Sequence, residues 1–162
     1  MNTIIKSELE GEGKIDYKKE IKFNKDKGEY EFFFKNKEGE LLAYIVFKIV
    51  QEGFGKVQYS VGNVEHLTNA NGFEHMPEFL KEVYENNGYS EKSGIKHFGE
   101  IALNEVLKYA KENHKDLEIV VVKGYEKNTP YIMNLVNRIK KKYETILEIY
   151  GPGELSICTL KI

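Results

Sequence analysis

The sequence predicts one α/β (α+β) domain built on a mixed sheet, mostly antiparallel, with a single parallel strand-helix-strand seam. Three observations carry that reading. Residues 14–64 hold four apolar stretches divided by short polar turns, the pattern of an antiparallel meander. Within residues 96–128 the period changes: a helical stretch leads into a run of β-branched residues and then to a new helix start. The chain closes on two short strands around Gly151-Pro152-Gly153.

Taken in order, residues 1–14 are polar and contain Gly11 and Gly13. They are expected to form a loose arm, with a short helix over 5–9 as the one candidate element. Ile15, Tyr17, Ile21 and Phe23 alternate imperfectly and predict a strand over 14–23. Residues 24–28 and 36–39, rich in Asn, Lys and Gly, are turns on either side of an aromatic strand, 30–35. Its Phe32-Phe33-Phe34 run is expected to feed the core on both faces of the sheet rather than to stack on bases. Residues 41–50 are the longest apolar segment and predict a central strand. Residues 52–55 turn into a fourth strand, 56–64, with Val57, Tyr59 and Val61 on one face.

A polar loop over 68–72 precedes a helix over 77–86, with Phe79, Leu80, Val83 and Tyr84 at helical spacing, expected to pack through Phe79, Leu80 and Val83 near the cleft and to stop at Asn87-Gly88. Ile101, Ala102, Val106, Leu107 and Ala110 then mark a second amphipathic helix, closed by Asn113 and His114. Residues 117–122 suit a strand buried on both faces, as in parallel pairing. Asn128-Thr129-Pro130 caps a third helix, with Ile132, Leu135, Val136 and Ile139 on one face. Residues 146–150 and 155–162 are the last two strands. The crossover places 56–64 and 117–122 side by side and parallel. A ligand cleft belongs where that seam opens, at the start of the crossover helix.

Composition narrows the function classes. A chain of 162 residues can bury one core without disulfides, and Cys158 has no second cysteine to pair with. A cytoplasmic setting is the expectation. The N-terminus lacks the apolar core of a signal peptide, and no apolar run has the length of a membrane span. A net charge of −2 supplies no general field for nucleic acid. Neither a membrane nor a nucleic acid is expected as a partner, and the sequence leaves the oligomeric state open.

The chemistry converges on Lys96-His97-Phe98-Gly99-Glu100-Ile101. A helix start carries backbone N–H groups with no partner inside the helix, and these together with the helix dipole attract phosphate. Gly99 has no Cβ to hold a ligand away from the backbone.

The order of elements and these residues resemble the GNAT family, the acetyl-CoA-dependent N-acetyltransferases. The resemblance covers the C-terminal 70 or so residues. It rests on the helix entry at 96–103, Leu107-Lys108-Tyr109-Ala110 a helix later, the strand 117–122, Asn128 before the next helix, and the closing hairpin around Tyr150-Gly151-Pro152-Gly153-Glu154. The resemblance implies acetyl-CoA as co-substrate, with its pyrophosphate held by the loop from Lys96 to Ile101 and with Asn128 in the cofactor site. Counted back from Ala110, Gly99 takes the family motif's second glycine, His97 its first, and Gly94 its Gln/Arg position; in the alternative frame Gly94-Ile95-Lys96 is the motif, with Lys96 at the second glycine. The position of the family's acidic Tyr falls at or near Leu135, one helical turn after Tyr131. The family's two helices between its first two strands are here only a turn.

The implied activity is transfer of an acetyl group to the amine of a small molecule or protein. Glu65 is the candidate base, with His66 beside it, and Tyr131 the candidate acid toward the leaving thiolate. The alternative is a non-catalytic GNAT-like protein that acts as an interaction or regulatory module. His66, Glu74 and His75 fit no familiar metal-ligand spacing. Cys158 reads as a small core residue. Arg138 and Lys140 to Lys142 read as cations complementing a helix C-terminus.

Overall fold

The computed structural model describes residues 2–8, 16–58, 64, 74, 76–125, 144–150 and 155–161, with side chains for 16–58, 64, 74 and 76–122. The strands are β1 (Asn2–Glu8), β2 (Asp16–Asn24), β3 (Glu29–Lys35), β4 (Leu41–Gln51) and β5 (Phe54–Gln58). Among the described residues the helices α1 (Glu78–Asn86) and α2 (Phe98–Asn113) follow. The chain ends in β6 (Ile119–Tyr125), β7 (Glu144–Tyr150) and β8 (Leu155–Lys161). All eight strands form one sheet in the order β1-β2-β3-β4-β5-β6-β8-β7. Every neighbouring pair is antiparallel except β5 and β6, which run parallel from Phe54↔Ile119 to Gln58↔Lys123. The single parallel seam expected from the crossover is therefore present. The helix expected over 130–139 lies outside the described residues.

The first residues correct one expectation. Instead of a loose arm with a helical turn, Asn2–Glu8 is a strand that pairs with β2 from Asn2↔Lys22 to Glu8↔Asp16. Thr3, Ile4 and Ile5 are β-branched and favour that backbone. Their N–H and C=O groups also satisfy an edge of β2 that would otherwise be open. The fourth meander strand begins at Phe54, two residues earlier than expected, because Glu52 and Gly53 make the turn by themselves, Gly53 with φ +74.

Side-chain alternation distributes the aromatic run as expected. Phe32 and Phe34 enter one core with Tyr17, Ile21, Phe47 and Val57, and Phe33 enters a second, smaller one with Leu41, Val64, Met76 and Tyr84. Burial of each such Phe contributes about 1.5–3 kcal/mol. Helix α2 closes the first face with Ala102, Leu103, Val106, Leu107 and Ala110.

Helix α1 closes the second face through Tyr84, with Leu80 and Val83 partly buried beside it. Phe79 does not pack: it is 68% exposed. Tyr84 sets the buried direction, and five residues of helix turn Phe79 about 140° away from it. The two helices thus lie on opposite faces, and the chain between them must pass around the sheet.

Candidate functional site

That passage is anchored at one end of the sheet. The Leu41 N–H donates to the Gly88 carbonyl at 2.9 Å. Ser93 Oγ lies 2.9 Å from the carbonyl oxygens of both Leu41 and Ser90, so its single proton is shared between two acceptors. Gly88, with φ +82, is required there, since a Cβ would stand 2.4 Å from the Gly39 carbonyl oxygen. Loop 87–97 is thereby held against the first residue of β4.

Ring contacts give the direction of α2. Phe98 meets Phe34, Tyr109 meets Phe32, and His114 meets Tyr30, so the helix runs antiparallel to β3. Its start therefore lies at the end of the sheet where β4 begins and where β5 and β6 finish. This is the carboxyl end of the parallel seam, where a cleft was expected. The helix start itself packs elsewhere. The Phe98 ring lies 5.4 Å from Tyr17 of β2 and 5.9 Å from Phe34 of β3, strands away from the seam.

At the turn, His97 has φ 66 and ψ 9, the one positive φ at a non-glycine among the described residues. The left-handed region places Cβ against the following carbonyl and costs an L-residue about 1 kcal/mol or more. The backbone at His97 thus takes a conformation natural to glycine.

The amides expected to be unpaired are not all so. The Phe98 N–H donates to the Ile95 carbonyl at 3.2 Å, and the Glu100 N–H to the His97 carbonyl at 3.3 Å. Two successive tight turns, 95–98 and 97–100, draw these two inward. The Gly99 N–H has no acceptor among the described residues. Lys96 and His97 are exposed, Glu100 and Ile101 half-buried, Phe98 and Gly99 buried. The Glu100 carboxylate complements the helix dipole and opposes any second anion nearby. Fitted to a pyrophosphate, the residues divide: the Lys96 ammonium and the Gly99 amide suit it, and the Phe98 and Glu100 amides are already engaged.

Glu65, Tyr131 and Asn128 lie outside the described residues, as do His66, His75, Arg138 and Lys140 to Lys142. Glu74 is exposed. No group of three metal-ligating side chains occurs among the described residues, and no described helix is long and apolar enough to cross a membrane.

Two further features were not singled out from sequence. On the α1 face, the Tyr44 hydroxyl donates to Glu31 Oε2 at 2.8 Å. Burial pushes the Tyr44 hydroxyl well above its ordinary pKa, and the adjoining Glu31 carboxylate pushes it further. Tyr109 is raised in the same direction, first by burial and then by Tyr30. On the α2 face, Lys19 Nζ meets Glu105 Oε2 at 2.9 Å, with the Lys19 side chain 9% exposed. The signal for Lys19 was present: it is the residue that interrupts the apolar alternation between Tyr17 and Ile21.

No protein-family model matches this chain, and no curated protein is similar to it at a significant level. Among solved structures it is similar to an acetyltransferase of the GNAT family from Streptococcus pneumoniae, at 11% identity and a TM-score of 0.47, over 83% of this chain and 68% of that one. It is also similar to a putative acetyltransferase of the GNAT family from Desulfovibrio desulfuricans, at 12% identity and a TM-score of 0.47, over 84% and 70% of the two chains.

Proposed function

We propose that the chain is a divergent acyl-CoA-dependent N-acyltransferase, cytoplasmic, that moves an acetyl group from acetyl-CoA to an unidentified amine. The observation that carries this reading is the start of α2, over β2 and β3 at the same end of the sheet as the carboxyl ends of the parallel pair, with His97 in a glycine-like backbone conformation. That place supplies an exposed cation, Lys96, and an amide, Gly99 N–H, for a pyrophosphate.

The chemistry assigned to the residues is direct transfer. Glu65, alone or through a water, accepts a proton from the ammonium form of the acceptor, leaving a neutral amine. The amine nitrogen bonds to the thioester carbonyl carbon while a backbone N–H steadies the developing oxyanion. The C–S bond then breaks: Tyr131 gives its proton to the departing thiolate, and the second proton, shed by the new amide nitrogen, passes through solvent to the Tyr131 phenolate and restores it. The test is thiol release from acetyl-CoA across a panel of primary amines. Amine-dependent release that falls at least tenfold in Glu65→Gln supports the assignment; no release with any amine contradicts it.

A second reading is favoured by a different observation. Two of the amides at the helix start are paired internally, and a histidine stands where a glycine would leave room. A non-catalytic protein of the same fold, acting as an interaction or regulatory module, needs no pyrophosphate site there. Fold alone does not choose between the two.

A further inference from the structure

We infer that the Lys19–Glu105 pair is a register lock, setting how far along the sheet α2 sits and so where its first turn falls. Lys19 projects from β2 into the α2 face of the sheet, and its Nζ lies 2.9 Å from Glu105 Oε2 midway along α2. The residue as a whole is 7% exposed. An ammonium so placed is stable only while paired, so any helix position that withdraws the carboxylate is disfavoured.

The sequence of α2 removes the alternatives. One residue of axial slip rotates Glu105 by about 100° away from Lys19. A slip of one full turn restores the direction but changes the side chain. Ile101 or Ala102 would then face Lys19 from one side, Lys108 or Tyr109 from the other, and none of the four is a carboxylate. Lys108 would add a second cation. The acidic residues Glu100 and Glu112 stand five and seven positions from Glu105, beyond a one-turn slip. The observed register is the one, within a turn either way, that satisfies Lys19.

A second contact on the same strand agrees. Phe98, two turns before Glu105, packs edge-on against Tyr17, two residues before Lys19. Apolar contacts such as this tolerate sliding, because one ring or aliphatic surface can replace another. A charge pair of low exposure does not. The lock therefore adds specificity of position where stability could have come from apolar residues. In consequence Lys19 and Glu105 are positioning residues for the Gly99 amide and Lys96. This last clause rests on the proposed pyrophosphate site, but the lock itself does not.

The test uses the whole chain without ligand. In Lys19→Met with Glu105→Leu, an apolar pair replaces the ionic one, so the melting temperature should equal or exceed that of the parent. Hydrogen exchange of amides 102–106 should nevertheless accelerate about tenfold relative to amides 107–113, as the first half of α2 gains alternative positions. Lys19→Arg, which keeps the pair, should restore the parental pattern. Parental protection of 102–106 in the apolar variant overturns the lock. Should that variant fail to fold, Lys19→Glu with Glu105→Lys decides: retained protection supports the lock, lost protection overturns it. Titration with CoA separates the two levels. A parent that binds no CoA defeats the pyrophosphate site and leaves the exchange result to judge the lock.

Discussion

Ser93 Oγ stands 2.9 Å from the Leu41 carbonyl oxygen, joining the loop ahead of α2 to the first residue of β4. The contact bridges 52 residues of sequence and is buried. It holds the chain at the point where it passes from the α1 face of the sheet to the α2 face. Ser93→Ala removes the donor and leaves the Leu41 carbonyl short of a partner. A loss of about 1–2 kcal/mol is expected, measured by urea unfolding. An unchanged midpoint would show that the loop is held by other means.

Gly88 lies at the same crossing. With φ +82 and the Gly39 carbonyl oxygen 2.4 Å from a would-be Cβ, it combines a backbone conformation that L-residues resist with a clash against backbone. Gly88→Ala should therefore cost at least about 2 kcal/mol. Gly28→Ala, with a similar φ of +64 and open space around it, should cost less. Thermal melting of the two variants side by side checks the order.

His97 offers a change in the opposite direction. Its φ of 66 belongs to the left-handed region, which glycine enters without penalty. His97→Gly should stabilise the fold by up to about 1 kcal/mol, less whatever its side-chain contacts contribute. At the proposed pyrophosphate site the same change should also raise CoA affinity, because a side chain is removed beside the Gly99 amide. Calorimetric titration reads the second effect independently of the first.

Tyr44 makes a pH prediction with a definite sign. Its folded-state pKa is raised above the ordinary 10.0, first by burial and then by Glu31. Above about pH 10 the unfolded chain releases this proton while the folded chain keeps it. The folded state then binds more protons, so stability falls as pH rises. The Tyr44 contribution is complete below pH 10 and lost above it. Tyr44→Phe should be less stable near neutrality by about 1 kcal/mol, from loss of the Glu31 hydrogen bond, yet decline less steeply at alkaline pH. Parallel alkaline limbs for the two proteins would contradict this.

Much of the architecture was legible in the residues. The turns at 24–28 and 36–39, the two-faced Phe32-Phe33-Phe34 strand and the parallel seam all follow from local pattern, because alternation and helical spacing directly report which face is buried. The first strand was not legible, since a short polar segment becomes a strand only when a neighbour's edge is free to receive it. Phe79 was misplaced because both Phe79 and Leu80 fit a helical period, and the true buried direction is set by Tyr84 and a distant Phe33. The helix entry was found by its glycine, but its hydrogen bonding was not. The left-handed residue His97 stands between the bonded Phe98 and Glu100 amides, in a loop whose anchor at Ser93 reaches Leu41, 52 residues away in sequence, where local pattern does not report it. Lys19 was visible only as a flaw in an alternating pattern, and its partner is 86 positions distant.

The most direct test of the central claim is the melting temperature of the parent chain with and without CoA and acetyl-CoA. A ligand bound only by the folded state adds about 2.7 kcal/mol at one hundred times its dissociation constant. For a domain of this size that corresponds to a rise of roughly 5–10 °C. The account predicts such a rise with both thiol and thioester, reduced in Lys96→Glu, whose exposed side chain can be reversed in charge with little cost to folding. An unchanged melting temperature at millimolar CoA would contradict it.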